Sequence, residues 1–273
     1  MKNPHVHVPY SRIEDYLGFI KQNRINPELY FCSCSLDHIT VSEIRTLKER
    51  LDYNPSFSIH APFMDLSPGA VDEKIRAITI DRFLSVFDIA EILLPKTIVF
   101  HSGYEKWKYA RRIDLWLEGS LITWSAVLER AKALNVRIAI ENIFEDDPEN
   151  LRILMENINS EYFGICFDTG HFNIFSSIPL GEWIGQLKPY MVELHLHDNH
   201  KTSDAHIAIG EGTFDFNALF AAVKDKDLIY TIEGHTPDDV MKSIERLKDY
   251  PENTFFQNNA RPENPLDNLF FRD

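Results

Sequence analysis

The sequence predicts a closed (β/α)8 barrel with a C-terminal extension, and three observations support this fold class. Short apolar segments alternate with longer helical segments, the pattern of βα units and a parallel sheet. Eight segments of each kind occupy about 250 residues, the usual size of such a barrel. No glycine-rich phosphate-binding motif follows any strand, which disfavours an open doubly wound sheet. We expect the barrel over residues 1–250 and a C-terminal arm over 251–273.

The eight apolar segments are short, and turn or polar residues bound them, which is typical of buried strands. The predicted strands are His5–Val8, Glu28–Phe31, Ser56–Ala61, Thr97–His101, Arg137–Glu141, Phe163–Asp168, Met191–His195 and Leu228–Glu233.

The predicted helices lie between these strands, and three of them carry a start signal. Ser11 precedes an acidic first turn, Thr40 precedes Val-Ser-Glu, and Thr236 precedes Pro-Asp-Asp. The helical segments lie near residues 11–23, 40–52, 70–93, 110–134, 148–158, 180–189, 215–224 and 237–249.

Composition and charge indicate a globular protein and argue against a nucleic-acid partner. The hydrophobic content is 44%, and no apolar run reaches the length that a membrane helix needs. Three cysteines do not make a disulfide framework, so a reducing cytoplasm is the expected location. The net charge of -14 opposes attraction to phosphate backbones. We therefore expect neither a nucleic-acid partner nor a membrane.

The arm after Tyr250 is rich in Pro and Asn and holds two Phe-Phe pairs, unlike a ninth βα unit. It would pack over the helices of its own barrel or cover a neighbouring subunit in a homo-oligomer.

Six consecutive predicted strands, the third to the eighth, each deliver a His, Asp or Glu to the carboxyl-terminal edge, where barrel active sites lie. Alternation along each strand points these side chains into the barrel mouth, while the bulky apolar residues face the helices. Uncompensated buried carboxylates are costly, and a cation would neutralise them and bind the imidazoles. The residues are His60, His101, Glu141, Asp168, His195 and Glu233.

The segment from Met191 to Gly212 runs from an apolar strand into a polar cluster with four histidines. Asp204 and His206 in this segment add imidazole and carboxylate donors, as His171 does three residues after Asp168. These three residues extend the predicted metal site.

Several other polar residues permit both a functional and a structural interpretation. His7 would line the pocket or be an ordinary rim histidine, and Lys201 would contact an anionic substrate group or remain exposed. Glu193 is expected to form an ion pair, with Arg137 as one candidate partner, rather than to bind metal.

Seven motifs give the chain a resemblance to the xylose-isomerase-like TIM barrel superfamily over roughly residues 5–250. That superfamily includes sugar isomerases and epimerases and the endonuclease IV type of apurinic/apyrimidinic endonuclease. The motifs are SIHAPF, VFHSG, AIEN, GICFDTGH, HLHDN, DAHIAIGEG and TIEG.

The resemblance implies divalent metal ions, Zn²⁺ or Mn²⁺, at one to three per chain. In epimerase-like members one ion is held at the positions of Glu141, Asp168, His195 and Glu233, and the two glutamates act as acid and base. In endonuclease-like members the second of three zinc sites uses these same four residues. The first would use His60, His101 and Glu141, and the third His171, Asp204 and His206.

Two enzymatic functions follow from this resemblance. The first is isomerisation or epimerisation of a sugar or sugar phosphate through a metal-stabilised enediolate, with His171 orienting a substrate hydroxyl. The alternative is zinc-dependent phosphoester hydrolysis, as in the AP endonucleases. The loops CSCSLDHIT and APFMDLSPGAVDE lack Arg and Lys, which disfavours DNA binding, whereas the arginine that many sugar epimerases carry near Asp204–His206 is missing. A metal-binding scaffold without catalysis is a third class.

Overall fold

A computed structural model describes residues 3–250 and shows a closed barrel of eight parallel strands in chain order. The first strand also pairs with the eighth, which closes the sheet. The strands are β1 His5–Pro9, β2 Asn26–Tyr30, β3 Ser58–His60, β4 Thr97–His101, β5 Arg137–Glu141, β6 Phe163–Asp168, β7 Met191–Leu196 and β8 Ile229–Ile232. This confirms the predicted barrel.

Ten α-helices surround the barrel in the described part of the chain. Eight of them are the predicted connections, and two short ones, α2 and α7, were not predicted. They are α1 Ile13–Gln22, α2 Ser33–His38, α3 Val41–Arg50, α4 Glu73–Leu93, α5 Ile113–Leu134, α6 Glu149–Ile158, α7 Thr169–Phe175, α8 Leu180–Leu187, α9 Phe216–Val223 and α10 Pro237–Leu247.

The core lies mainly between the barrel and its helices. Outward-facing strand residues such as Ile59, Ile138 and Phe167 are fully buried there with the aromatic side chains of α4 and α5. Inside the barrel, a separate small cluster contains Val99, Ala139 and Cys166. The alternation of strand side chains is therefore as predicted, and it leaves the inner face available for polar groups.

Two of the three predicted helix starts are confirmed. Thr40 forms a capping box with Glu43, and the Thr236 side chain accepts a hydrogen bond from the Asp239 N–H. The Ser11 prediction is wrong, because Tyr10–Arg12 forms a 3-10 turn and α1 begins after Arg12 without a side-chain cap.

Among residues 3–250, none of the helices combines the length and apolar character that a membrane crossing requires. The predicted arm over 251–273 lies outside the described residues.

Candidate metal centre

The carboxyl ends of the strands bring the predicted ligands together at one mouth of the barrel. His60, His101, Glu141 and Asp168 are the last residues of their strands, and Glu233 directly follows β8. The barrel closure that joins β1 to β8 places these consecutive strand ends in one ring. Several groups of three His or acidic side chains lie there with donor atoms within 4.8 Å of one another.

The first cluster, on the β3–β5 side, contains His60, His101 and Glu141. The Glu141 Oε2 atom lies 3.1 Å from His60 Nε2 and 3.2 Å from His101 Nε2. Two donors bound tetrahedrally to one zinc ion lie about 3.3 Å apart, so these spacings suit a shared ion. The His60 Nδ1 atom donates to the Ala61 carbonyl at 2.9 Å, which turns Nε2 toward Glu141.

The second cluster surrounds His195, which is completely buried. Its Nδ1 atom lies 3.1 Å from Glu233 Oε1, 3.5 Å from Glu141 Oε2 and 3.9 Å from Asp168 Oδ2. Neither ring nitrogen of His195 has a well-aligned hydrogen-bond partner in the described structure. A buried imidazole without such a partner is costly, and a divalent ion held with the three carboxylates would satisfy it. The donor set therefore fits a metal ion.

The third cluster joins His171 of α7 to Asp204 and His206 of the loop after β7. The Asp204 Oδ2 atom is 2.9 Å from His206 Nε2 and 3.4 Å from His171 Nε2. The other ring nitrogen of His171, Nδ1, donates a hydrogen bond to the Asn142 carbonyl at 3.0 Å. The nine predicted ligands thus form three adjoining clusters, with Glu141 shared between the first two.

The electrostatics of the mouth reflect close pairing of carboxylates with imidazoles. Burial opposes charge on Glu141, but His101 and His195 bring its pKa well below the usual value. The pKa of Glu233 is lowered in the same way, against burial, by His195 and His7. In return, Cys166 and then the nearby carboxylates raise the pKa of His195 well above its usual value, again against burial. Both glutamates are therefore anionic at neutral pH.

Two buried residues of the mouth were not in the predicted site. His197 Nε2 lies 3.1 Å from both carboxylate oxygens of Asp168, and its Nδ1 atom has no hydrogen-bond partner in the described chain. Glu28 Oε1 lies 3.2 Å from His195 Nε2 and 3.3 Å from His7 Nδ1. The alternation of side chains along a strand could have predicted both residues. His197 follows His195 by two residues and so faces the same side, and Glu28 lies on the inner face of β2.

The predicted substrate contacts lie in different places. His7 lines the cavity between Glu28 and Glu233; against the effect of burial, Glu233 and then Glu28 raise the pKa of His7 to about 10. Lys201 is exposed and outside the cavity lining, so the fold does not bring it to the other site residues. His235 lines the cavity and stacks on His206 with ring centroids 4.5 Å apart.

The expected ion pair of Glu193 with Arg137 is wrong. Arg137 is exposed at the start of β5, whereas Glu193 is fully buried inside the barrel. The carboxyl group of Glu193 accepts hydrogen bonds from the hydroxyls of Thr97 and Thr231 instead.

A cavity of about 580 Å³ opens directly over the first and third clusters. Such a volume is in the range of small-molecule sites. Seven of the nine predicted ligands line it, all except Asp168 and His195, and aromatic side chains form much of its wall. We call four of these the aromatic wall: Tyr30, Phe63, Phe144 and Phe175.

Known proteins that resemble this chain include one related sequence and two solved structures. Uncharacterized protein MJ1311 of Methanocaldococcus jannaschii is 29% identical over 227 residues, covering 79% of this chain and 77% of that protein. The TTHB071 protein of Thermus thermophilus, from crystals soaked with ZnCl₂, is 29% identical with a TM-score of 0.77, covering 91% of this chain and 97% of that one. A D-tagatose 3-epimerase-like protein is 26% identical, also with a TM-score of 0.77, covering 90% and 96%.

More distant structures share the fold alone. A D-psicose 3-epimerase determined in the presence of D-fructose is 14% identical, with a TM-score of 0.69 over 87% of this chain. The family model described as xylose isomerase-like TIM barrel matches residues 28–250, which include all nine predicted ligands. The chain therefore belongs to the xylose isomerase-like TIM barrel family.

Proposed function

We propose that the protein is a divalent-metal-dependent isomerase or epimerase of a sugar or sugar phosphate, which moves a proton through an enediolate. One observation carries the proposal: the Nδ1 atom of the fully buried His195 lies within 3.9 Å of three carboxylates in the barrel mouth but has no well-aligned hydrogen-bond partner among the described residues. The likeness to a D-tagatose 3-epimerase-like protein at 26% identity supports the same chemistry.

The second cluster would hold the ion through Glu141, Asp168, His195 and Glu233. When bound, a divalent ion there would polarise the substrate carbonyl and acidify the neighbouring C–H bond. The first and third clusters offer further donors next to it. The proposal therefore includes one to three ions per chain, Zn²⁺ or Mn²⁺.

The two glutamates are both placed to take part in proton transfer. Glu141 and Glu233 approach the same His195 nitrogen from β5 and from the end of β8. One carboxylate would take the proton from the substrate carbon and become a neutral acid. The enediolate would regain a proton, at the same or the neighbouring carbon, from this acid or from a water molecule held by the other glutamate, and in the second case the acid would pass its proton to the hydroxide left by that water. Their lowered pKa values keep both anionic, which a base requires. His171 faces the cavity and would donate a hydrogen bond to a substrate hydroxyl.

Zinc-dependent phosphoester hydrolysis is the second candidate, and a specific observation favours it. Clusters one and three are both assembled, with Asp204 within 3.4 Å of His171 and 2.9 Å of His206. An isomerase with one ion requires neither the two histidines of the first cluster nor the third cluster. Hydrolysis would make Asp204 and His206 essential, while isomerisation would only be weakened by their replacement.

Solvent exchange tests the proposal. The metal-loaded protein is incubated in D₂O with keto sugars, and deuterium at the carbon beside the carbonyl is followed by NMR. We expect exchange that Glu233→Gln reduces by about 100-fold or more. The control Glu118→Gln, on the exposed face of α5, should exchange as the parent does. Wild-type exchange in Glu233→Gln would remove Glu233 from the mechanism, and cleavage of an abasic-site oligonucleotide without exchange would favour hydrolysis.

A further inference from the structure

His197 is a completely buried histidine that belongs to none of the three clusters. It directly follows β7, two residues after His195, and its side chain faces the same side of the barrel. Its Nδ1 atom has no hydrogen-bond partner among the described residues. A buried imidazole nitrogen without a partner is costly, so the position of this side chain needs a physical explanation.

The Nε2 atom of His197 faces two carboxylates. It lies 3.1 Å from each oxygen of Asp168, which is close to the spacing of two donors on one zinc ion, and 3.8 Å from Glu233 Oε2. The His206 ring stacks on the His197 ring with centroids 3.9 Å apart. His197, His206 and Glu233 form a group whose donor atoms lie within 4.8 Å of one another, and Asp168, His171 and His197 form another.

A neutral His197 carries one ring proton, and its two possible positions have different consequences. With the proton on Nε2, His197 donates to Asp168, but the Nδ1 lone pair then faces the Asp204 Oδ1 atom 3.7 Å away. With the proton on Nδ1, that N–H faces Asp204, and the Nε2 lone pair faces Asp168 and Glu233. The second arrangement requires a cation between Nε2 and these acids. It is the usual arrangement of a metal-binding histidine, whose other nitrogen faces a carboxylate or carbonyl.

The two oxygens of Glu233 face different histidines. Oε1 lies 3.1 Å from His195 Nδ1, whereas Oε2 lies 3.8 Å from His197 Nε2 and 3.7 Å from His206 Nδ1. A carboxylate with imidazoles on both sides is suited to bridge two ions, as in enzymes with paired metals. One oxygen would bind the ion of the second cluster, and the other oxygen is available to a neighbouring ion.

The start of α7 makes room for the His197 ring and holds its backbone. A Cβ atom at Gly170 would overlap this ring, so a larger residue there would displace it. The Thr169 hydroxyl donates to the His197 carbonyl at 2.7 Å and lies 3.2 Å from the His197 N–H that it accepts. These contacts fix Nε2 of His197 against Asp168.

From these contacts we propose that His197 binds a second divalent ion, Zn²⁺ or Mn²⁺, together with Asp168 and Glu233. His206 would be the fourth donor. The ion would lie beside the one at His195 and share both carboxylates with it. His197 is not among the nine predicted ligands, so this site differs from the three clusters. The inference concerns the donors of the metal centre and does not depend on whether the reaction is isomerisation or hydrolysis.

Elemental analysis of the zinc-loaded protein tests this site without turnover. His197→Gln keeps an amide N–H that can donate to Asp168 but removes the metal-binding nitrogen. We expect the parent to hold at least two zinc ions per chain and the variant to hold one fewer. His200→Gln, at an exposed histidine three residues further along the chain, is the matched control and should hold as many ions as the parent. Equal zinc content in His197→Gln and the parent would overturn the inference and show that His197 only donates hydrogen bonds to Asp168.

Anomalous X-ray scattering at the zinc edge locates each ion in crystals of the zinc-loaded parent and needs no variant. We expect one peak beside His195 Nδ1 and a second beside His197 Nε2. A peak at His195 without one at His197 would overturn the inference and leave the proposed function standing. Protein that binds no zinc at either position would contradict the metal centre, and the inference with it.

Discussion

Two glutamates inside the barrel, Glu193 and Glu141, are equally buried but have opposite environments. Glu193 lies one layer below the mouth and accepts hydrogen bonds from the Thr97 hydroxyl at 2.5 Å and the Thr231 hydroxyl at 2.6 Å. Burial, with the charge of Glu28 added, raises the pKa of Glu193 to about 8. This carboxyl group is mostly neutral at pH 7, and each of its oxygens is hydrogen-bonded to one threonine hydroxyl, as is usual for a buried polar group.

Glu141 is surrounded by imidazoles instead of hydroxyls. Nitrogen atoms of His60, His101, His171 and His195 lie between 3.1 and 3.5 Å from its carboxylate. Imidazole nitrogens are metal-binding groups, whereas the hydroxyls of Thr97 and Thr231 only hydrogen-bond the Glu193 carboxyl. Two equally buried acids are therefore distinguished by their partners. The predicted metal ligands therefore lie in the layer above Glu193.

The largest expected effect comes from Glu141→Gln, because this residue is shared by two clusters. The variant should lose bound metal and reduce deuterium exchange by about 100-fold or more. Metal content and exchange rate are measured on the same sample. The matched variant Glu193→Gln replaces a mostly neutral acid with its amide and should keep both within about twofold. Equal losses in the two variants would contradict the distinction between the layers.

A smaller loss is expected from Glu28→Gln. The Glu28 carboxylate lies 3.2 Å from the Nε2 atom of His195 and accepts a hydrogen bond from the Ser58 hydroxyl at 3.0 Å. Residues that orient metal-binding histidines typically change affinity by about 10- to 100-fold. Competition with a fluorescent chelator measures this affinity. Unchanged affinity would show that His195 is held without Glu28.

Glu145 extends the comparison to a buried acid outside the barrel interior. It accepts hydrogen bonds from the Ser102 hydroxyl at 2.5 Å and the Ile143 N–H at 2.8 Å, and burial raises its pKa. The folded state thus retains a proton that the unfolded state releases near the ordinary pKa of 4.5. The stability from this group is complete below that pH and decreases as pH rises through the folded pKa.

Replacement of Glu145 by Gln should therefore flatten the fall in stability above pH 4.5. Urea unfolding of the parent and the variant across this range measures the slope. A parallel pH dependence in both proteins would show that Glu145 does not hold a proton in the fold.

The smallest effect is expected far from both layers. Thr40→Ala removes the capping box of α3 and should lower the free energy of unfolding by about 1 kcal/mol without a change in metal content. Ser42→Ala, an exposed position in the same helix, is the control. Urea unfolding compares the two variants, and equal stabilities would contradict the role of the cap.

The sequence was most informative where local pattern and topology coincide. The positions of Glu141 and Asp168 at the barrel mouth could be predicted because each residue ends a strand and parallel strands end at one edge of the barrel. The helices α2 and α7 were missed because segments of 6 and 7 residues are too short to show helical periodicity.

The limits of sequence reasoning show in residues whose partners are distant in the chain. The Thr97 and Thr231 partners of Glu193 lie 96 and 38 residues away. Lys201 shows the opposite case, a residue that is close to the site in sequence but not in space. It lies near Asp204 and His206 in the chain, but it is exposed and does not line the cavity. Loop direction depends on tertiary packing, which residue order does not specify.

Metal content per chain tests the central claim most directly. Protein purified without added metal or chelator is analysed for its elements, before and after dialysis against Zn²⁺ or Mn²⁺. The account predicts at least one divalent ion per chain, retained by the parent protein and lost by Glu141→Gln. A single exchangeable ion would agree with isomerase chemistry, and three zinc ions would move hydrolysis ahead of it. Protein that carries no divalent ion and takes up none on dialysis would contradict the metal centre.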